Sequence, residues 1–152
     1  MVLSRIMKLK EVISVADKRE FLDFPPSLYR EDSQYIRPLD QDVEQVFDPK
    51  KNKTFRHGEV IRWLLSNDLG KTIGRMAAFI NKKTARKNEQ PTGGFGFFEC
   101  INNQDAANVM FDAGVAWLKE RQMEAVDGPV NFGERDRWWG LLAEGFMSRS
   151  IA

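Results

Sequence analysis

The chain has 152 residues, enough for one domain with a real core. Its 23 basic and 22 acidic residues nearly cancel. That balance gives no electrostatic reason to expect nucleic acid or an anionic membrane surface as a partner. A single cysteine, Cys100, excludes an intrachain disulfide and a multi-cysteine metal site, and suits a reducing cytoplasm. The opening MVLSRIMKLKEV has no uninterrupted apolar segment of the signal-peptide kind, and no apolar run approaches the about 18 residues of a membrane helix. The expectation is a cytoplasmic protein, with no metal and no membrane partner.

Arg5 to Val12 alternates as a first strand with one buried face. Ser14 precedes Asp17 by three residues, a capping-box analogue, and opens a helix predicted over Ala16 to Phe24. Phe21, Leu22 and Phe24 are its inward residues, and Pro25 and Pro26 are expected to stop it. Residues 25 to 57 are less regular. Ser27 to Tyr29 reads as a helical turn, Ile36 to Leu39 as extended chain, Asp40 to Phe47 as a short helix and Asp48 to Lys53 as a polar loop. Glu59 to Leu65 and Lys71 to Asn81 read as a hairpin around Asn67, Asp68 and Gly70. Gly74 inside the second arm predicts a bulge or a close backbone approach.

The clearest pattern runs from Thr92 to Phe132 and reads as strand, helix, strand. Phe95, Phe97 and Phe98 form an aromatic strand ending near Ile101. Asn102 or Asn103 caps a helix whose Ala106, Met110, Ala113, Gly114, Trp117 and Leu118 share one stripe. Ala125 to Val130 is the second strand. Two strands joined by such a helix should be parallel, with a right-handed crossover. After it come a polar loop, Asn131 to Arg137, and the apolar segment Trp138 to Phe146, expected to cover the chain's own core or to form a homodimer contact.

This order, with NDLGKTIGRMAAFIN as a hairpin arm and GFGFFECI as a fourth strand, resembles the GNAT fold of the Gcn5-related acyl-CoA N-acyltransferases. GFFECIN, WLKER, DGPVNF and GLLAEGF are similar to an uncharacterised bacterial GNAT-like family whose members are often longer. The resemblance covers roughly residues 5 to 146. It implies an α/β (mixed α+β) fold with a mixed sheet and helices on both faces, forming one domain over residues 1–152, incomplete at its C-terminal end after about residue 146. It also implies acetyl-CoA or another acyl-CoA as cosubstrate and a small-molecule amine as acceptor. In that scheme Glu99 is the general base, Cys100 and Ile101 belong to the strand that meets the pantetheine arm, and Asn102, Asn103 and Gln104 stand where the pyrophosphate would rest on helix amides.

The residues also depart from the family pattern. INNQDAAN carries no glycine where the family's phosphate loop has spaced ones, and Asp105 adds a negative charge to the first helical turn. Tyr29 and Tyr35 are the only tyrosines, and both lie far upstream of the place where the family often keeps a tyrosine acid. A second reading is therefore a non-catalytic binding or dimerisation module that has lost the phosphate loop. Plainer readings stand beside the sharp ones. Glu99 can be an exposed or salt-bridged strand carboxylate, Cys100 a small buried hydrophobe and His57 a loop residue. Lys82, Lys83, Arg86 and Lys87 can be a solvated loop, and Asn131, Glu134 and Arg135 a plain surface loop.

Overall fold

The structure is a computed structural model, and it describes residues 6–87, 89–130, 132 and 133. Five strands form one sheet in chain order: β1 (Lys8–Glu11), β2 (Gly58–Ser66), β3 (Thr72–Asn81), β4 (Thr92–Cys100) and β5 (Ala125–Asp127). The first three pairings, from β1 to β4, are antiparallel, and β5 joins β4 in parallel. Helix α1 (Val15–Leu28) and helix α2 (Asp40–Val46) lie on one face, and α3 (Gln104–Lys119) on the other. A 3-10 turn over Lys53–His57, which no pattern predicted, leads into β2. The mixed sheet with helices on both faces is as expected. The segment 138–146 and the residues Asn131, Glu134 and Arg135 lie outside the described residues. No described helix is long and apolar enough to cross a membrane.

The two faces follow from alternation along the strands. Trp63, Leu65, Met76, Ala78, Ile80 and Phe95 point toward α3 and meet its Ala106, Met110, Trp117 and Leu118. Gly114 on the same stripe is required, because a Cβ there would lie 2.5 Å from the Phe95 ring. The opposite face holds Phe21, Val43 and Leu64, with Val46, Phe79 and Phe132 beside them. Two arginines also sit on this face, Arg62 and Arg75, 5% and 7% exposed. Gly74 satisfies both halves of its expectation. The β2–β3 register slips beside it, and a Cβ would come within 2.6 Å of the Met110 methyl.

Helix α1 corrects one expectation. It runs past Pro25 and Pro26 to Leu28. A proline inside a helix removes one i→i−4 donor, which for Pro25 orphans the Phe21 carbonyl. Arg75 supplies the missing donor, since its Nη1 donates to Phe21 O at 2.7 Å. Its guanidinium also stacks 4.5 Å from the Phe21 ring. At the helix start, Ser14 accepts from the Asp17 amide while Asp17 accepts from the Ser14 amide, completing the capping box. Lys10, 2.8 Å away, is the main reason the Asp17 carboxyl lies well below its ordinary range, and the Ile13 and Ser14 amides that donate to it add to the effect.

The second strand of the parallel pair is also shorter than expected. β5 ends at Asp127, and the Gly128–Pro129 bond is cis. Val130 then donates one hydrogen bond to Phe95 O at 2.9 Å. From there the chain crosses over Gly96 and buries Phe132 against Phe79 and Phe55. A Cβ on Gly96 would lie 2.2 Å from Val130 O. Gly96→Ala is therefore expected to cost roughly 2–3 kcal/mol, because the obstacle is backbone rather than a flexible side chain. A urea midpoint unchanged from wild type would show that this crossing is not a fixed part of the fold.

Candidate active site

The site begins with an irregularity in β4. Ala77 pairs with Gly96 and Arg75 with Glu99, so β4 carries one more residue than β3 between these pairs. The extra residue is a bulge, and Phe97 takes a left-handed φ of 53° within it. Side chains alternate along a strand, so one inserted residue reverses every face beyond it. Phe97 consequently packs with Phe21 and Phe47 on the α1 side, and Phe98 stacks on Phe111 on the α3 side. Glu99 falls on the α1 side, opposite Arg75. Without the bulge it would face α3.

On that side Glu99 meets the end of α1. Because α1 continues through its prolines, Tyr29 is its C-cap, and the Tyr29 hydroxyl donates to Glu99 Oε2. The Tyr35 ring lies 4.9 Å from that of Tyr29. Burial, and then the nearby Glu99 carboxylate, hold the Tyr29 phenol above its ordinary pKa, and burial does the same to Tyr35. Burial pushes Arg75 down to about 10, opposed by the attraction of Glu99. The Arg75 Nε is buried with no protein partner among the described residues. The site is thus one carboxylate, one buried guanidinium and two phenols, drawn from β4, β3, α1 and the loop after α1.

That loop is tied down. Arg37 reaches Asp23 at 2.8 Å and Asp40 at 3.0 Å, and Arg19 reaches Asp40 at 2.7 Å. Each pair is exposed and worth little alone, but together they brace the Tyr35 loop against α1 and α2. Ile36 and Leu39 on the same loop are 80% and 71% exposed.

The residues expected around an acyl-CoA lie at the end of β4 and the start of α3. Cys100 is half-buried against the α3-side core, and burial raises its thiol pKa, which suits a small hydrophobe better than a nucleophile. The Ile101 amide donates to Ile73 O at 3.0 Å, so it is committed to β3. Asn102 is exposed. Asn103 is the N-cap, its side chain accepting from the Ala106 amide at 3.0 Å. The Gln104 side chain donates to Asn108 at 2.9 Å. The amides of Gln104 and Asp105 stand ahead of the first intrahelical bond, from Ala107 to Asn103, with the positive end of the helix dipole behind them. Among the described residues, β4 runs on past the end of its pairing with β5. β5 pairs with β4 only over Thr92–Gly94, and the chain then turns away over Gly96 while β4 continues to Cys100. Phe132 packs with Val46, Phe79 and Phe55. Trp139 lies outside the described residues.

Among the described residues no group of three or more His, Cys, Asp or Glu side chains is placed to hold a metal. The sequence alone assigns no site role to Tyr29, Tyr35 or Arg75. The one available signal was negative: with no tyrosine downstream, any phenol in the site had to come from the first 35 residues.

Two solved structures share this architecture. An acetyltransferase of the GNAT family from Staphylococcus aureus Mu50 superposes with a TM-score of 0.55 at 15% identity, covering 79% of this chain and 71% of its own. A predicted acetyltransferase from Clostridium acetobutylicum, solved with acetyl-CoA, gives a TM-score of 0.51 at 14% identity over 90% and 96%. The chain has the GNAT fold. Along the sequence, the GNAT-fold chain is 31% identical over 132 residues to the bacterial ceramide synthase of Caulobacter vibrioides. It is 30% identical over 132 residues to protein YghO of Escherichia coli K12. Each match covers 86% of this chain but only about a third of the relative, 34% and 33%. No protein-family model matches the chain.

Proposed function

We propose that this GNAT-fold chain forms the acyl-transfer site of an acyl-CoA-dependent N-acyltransferase, with Glu99 as general base. The observation that carries the reading is Glu99 itself. The β4 bulge aims it at the α1 side of the sheet, at the end of β4 where β4 and β5 part. An acyl-CoA supplies the acyl group as a thioester. Glu99 takes the proton of the acceptor nitrogen as the new C–N bond forms and the C–S bond breaks. The amides of Gln104 and Asp105 are the available donors for a phosphate at the start of α3.

The acceptor we favour is a long-chain amine. Ceramide is by definition the amide of a long-chain amino alcohol and a fatty acid, so a relative named ceramide synthase is named for N-acylation of a lipid. Ile36 and Leu39 support this choice, since they leave exposed apolar side chains on the loop that carries Tyr35. The glycine-free helix start and Asp105 favour the alternative, a GNAT-fold module that binds no acyl-CoA.

Calorimetric titration with acetyl-CoA and free CoA separates the two. Micromolar binding is expected. Asn103→Asp should weaken it about fivefold, or ~1 kcal/mol, by bringing a second carboxylate to the first turn. Asp caps a helix as well as Asn does, so the melting temperature should not move. Absence of binding up to millimolar ligand would remove the acyltransferase reading.

A further inference from the structure

We infer that Tyr29 is a positioning residue of this site: its phenol holds Glu99 by Oε2 and leaves Oε1 as the oxygen that accepts the proton of the acceptor. The inference rests on the acyltransferase reading for its catalytic part, and on geometry alone for the hydrogen bond. A carboxylate on a strand has two free torsions beyond its Cβ and would otherwise sample several orientations. The Tyr29 hydroxyl removes that freedom. Tyr29 is itself fixed. Its amide donates to Pro25 O at 2.9 Å, and its ring rests on Tyr35, whose loop Arg37 and Arg19 tie to Asp23 and Asp40.

The arrangement depends on Arg75 twice over. The arginine fills the carbonyl orphaned by Pro25, so that α1 reaches Tyr29, and it faces Glu99 across the β3–β4 pair. The groups that set the local charge come from every neighbouring element: Glu99 on β4, Arg75 on β3, Tyr29 on α1 and Tyr35 on the loop. Arg37 lies beyond Tyr35, and Arg62 beyond Arg75. Tyr29 does not serve as the acid that protonates the leaving thiolate. Its hydroxyl is already engaged in the hydrogen bond to the Glu99 carboxylate, and both burial and that carboxylate make the phenol a weaker acid than usual.

Two tyrosines in the whole chain make the test direct. Phenolate absorbance is read near pH 11, about one unit above the ordinary phenol pKa. Circular dichroism checks that the fold persists. Four proteins are compared: wild type, Glu99→Gln, Tyr29→Phe and the double variant. Glu99→Gln should raise the phenolate signal by a fraction of one equivalent, since burial still holds the phenol up, and this rise should vanish in the Tyr29→Phe background. In the acylation assay, Tyr29→Phe should keep the acyl-CoA Kd and lower kcat about tenfold, because the carboxylate is no longer held in one orientation. Equal phenolate in wild type and Glu99→Gln, or a kcat that Tyr29→Phe leaves unchanged, overturns the inference while the acyltransferase reading survives. A wild-type chain that binds no acyl-CoA overturns that reading, and the catalytic role of Tyr29 with it.

Discussion

Glu99→Gln is expected to lower kcat for N-acylation about 100-fold while leaving acetyl-CoA affinity unchanged. The size is that of a lost general base. The split between kcat and Kd follows from position. Glu99 faces α1 and the Tyr29 hydroxyl, whereas the free amides at the start of α3 belong to other residues. Gln is nearly isosteric and can still accept from Tyr29 through its carbonyl oxygen, so the packing of α1 on β4 should persist. The measurement is steady-state acylation with a long-chain amine beside calorimetry with acetyl-CoA. A Glu99→Gln protein with wild-type kcat would leave Glu99 as a strand carboxylate and move the base elsewhere.

Arg75→Met should destabilise the chain by roughly 2–4 kcal/mol, a fall in melting temperature on the order of 10 °C for a chain of this size. Two separate losses add up. Phe21 O sits in a buried turn, and Pro25 cannot donate to it, so removing the guanidinium leaves a carbonyl with no partner. Glu99 meanwhile loses the positive charge that faces it across the sheet. Methionine recovers much of the apolar packing on Phe21 but neither polar contact. Lysine should recover only part of the loss, because it can reach the carbonyl as a point charge but cannot stack flat on the ring. Thermal unfolding followed by circular dichroism measures the series. If Arg75→Met melts with wild type, another donor must carry α1 through Pro25, and the dependence of Tyr29 on Arg75 fails.

The link between these predictions is that one buried arginine serves both fold and site. Arg62 makes a similar contact nearby, 4.1 Å over Phe47 and paired with Glu44 at 2.7 Å and 3.2 Å, but its partner lies on α2. Of the two buried arginines among the described residues, Arg75 is the one that both bonds to α1 and pairs across from Glu99.

By itself the sequence determined the order of elements, the parallel last pair, an asparagine N-cap at 102 or 103 and the α3 stripe from Ala106 to Leu118. These signals are local: strand alternation repeats every two residues and a helical stripe every three or four, so a short window contains the whole pattern. The resemblance to the GNAT fold rested on that order. Tertiary structure alone decided the rest. Pro25 and Pro26 read as a stop because a proline's lost donor is visible in sequence, whereas the replacement donor, Arg75, lies 54 positions from Phe21 and is not. The facing of Glu99 depended on a bulge at Phe97, where alternation along the strand offers no warning. Tyr29 meets Glu99 across 70 positions, a meeting set by how α1 packs on the sheet rather than by any spacing along the chain.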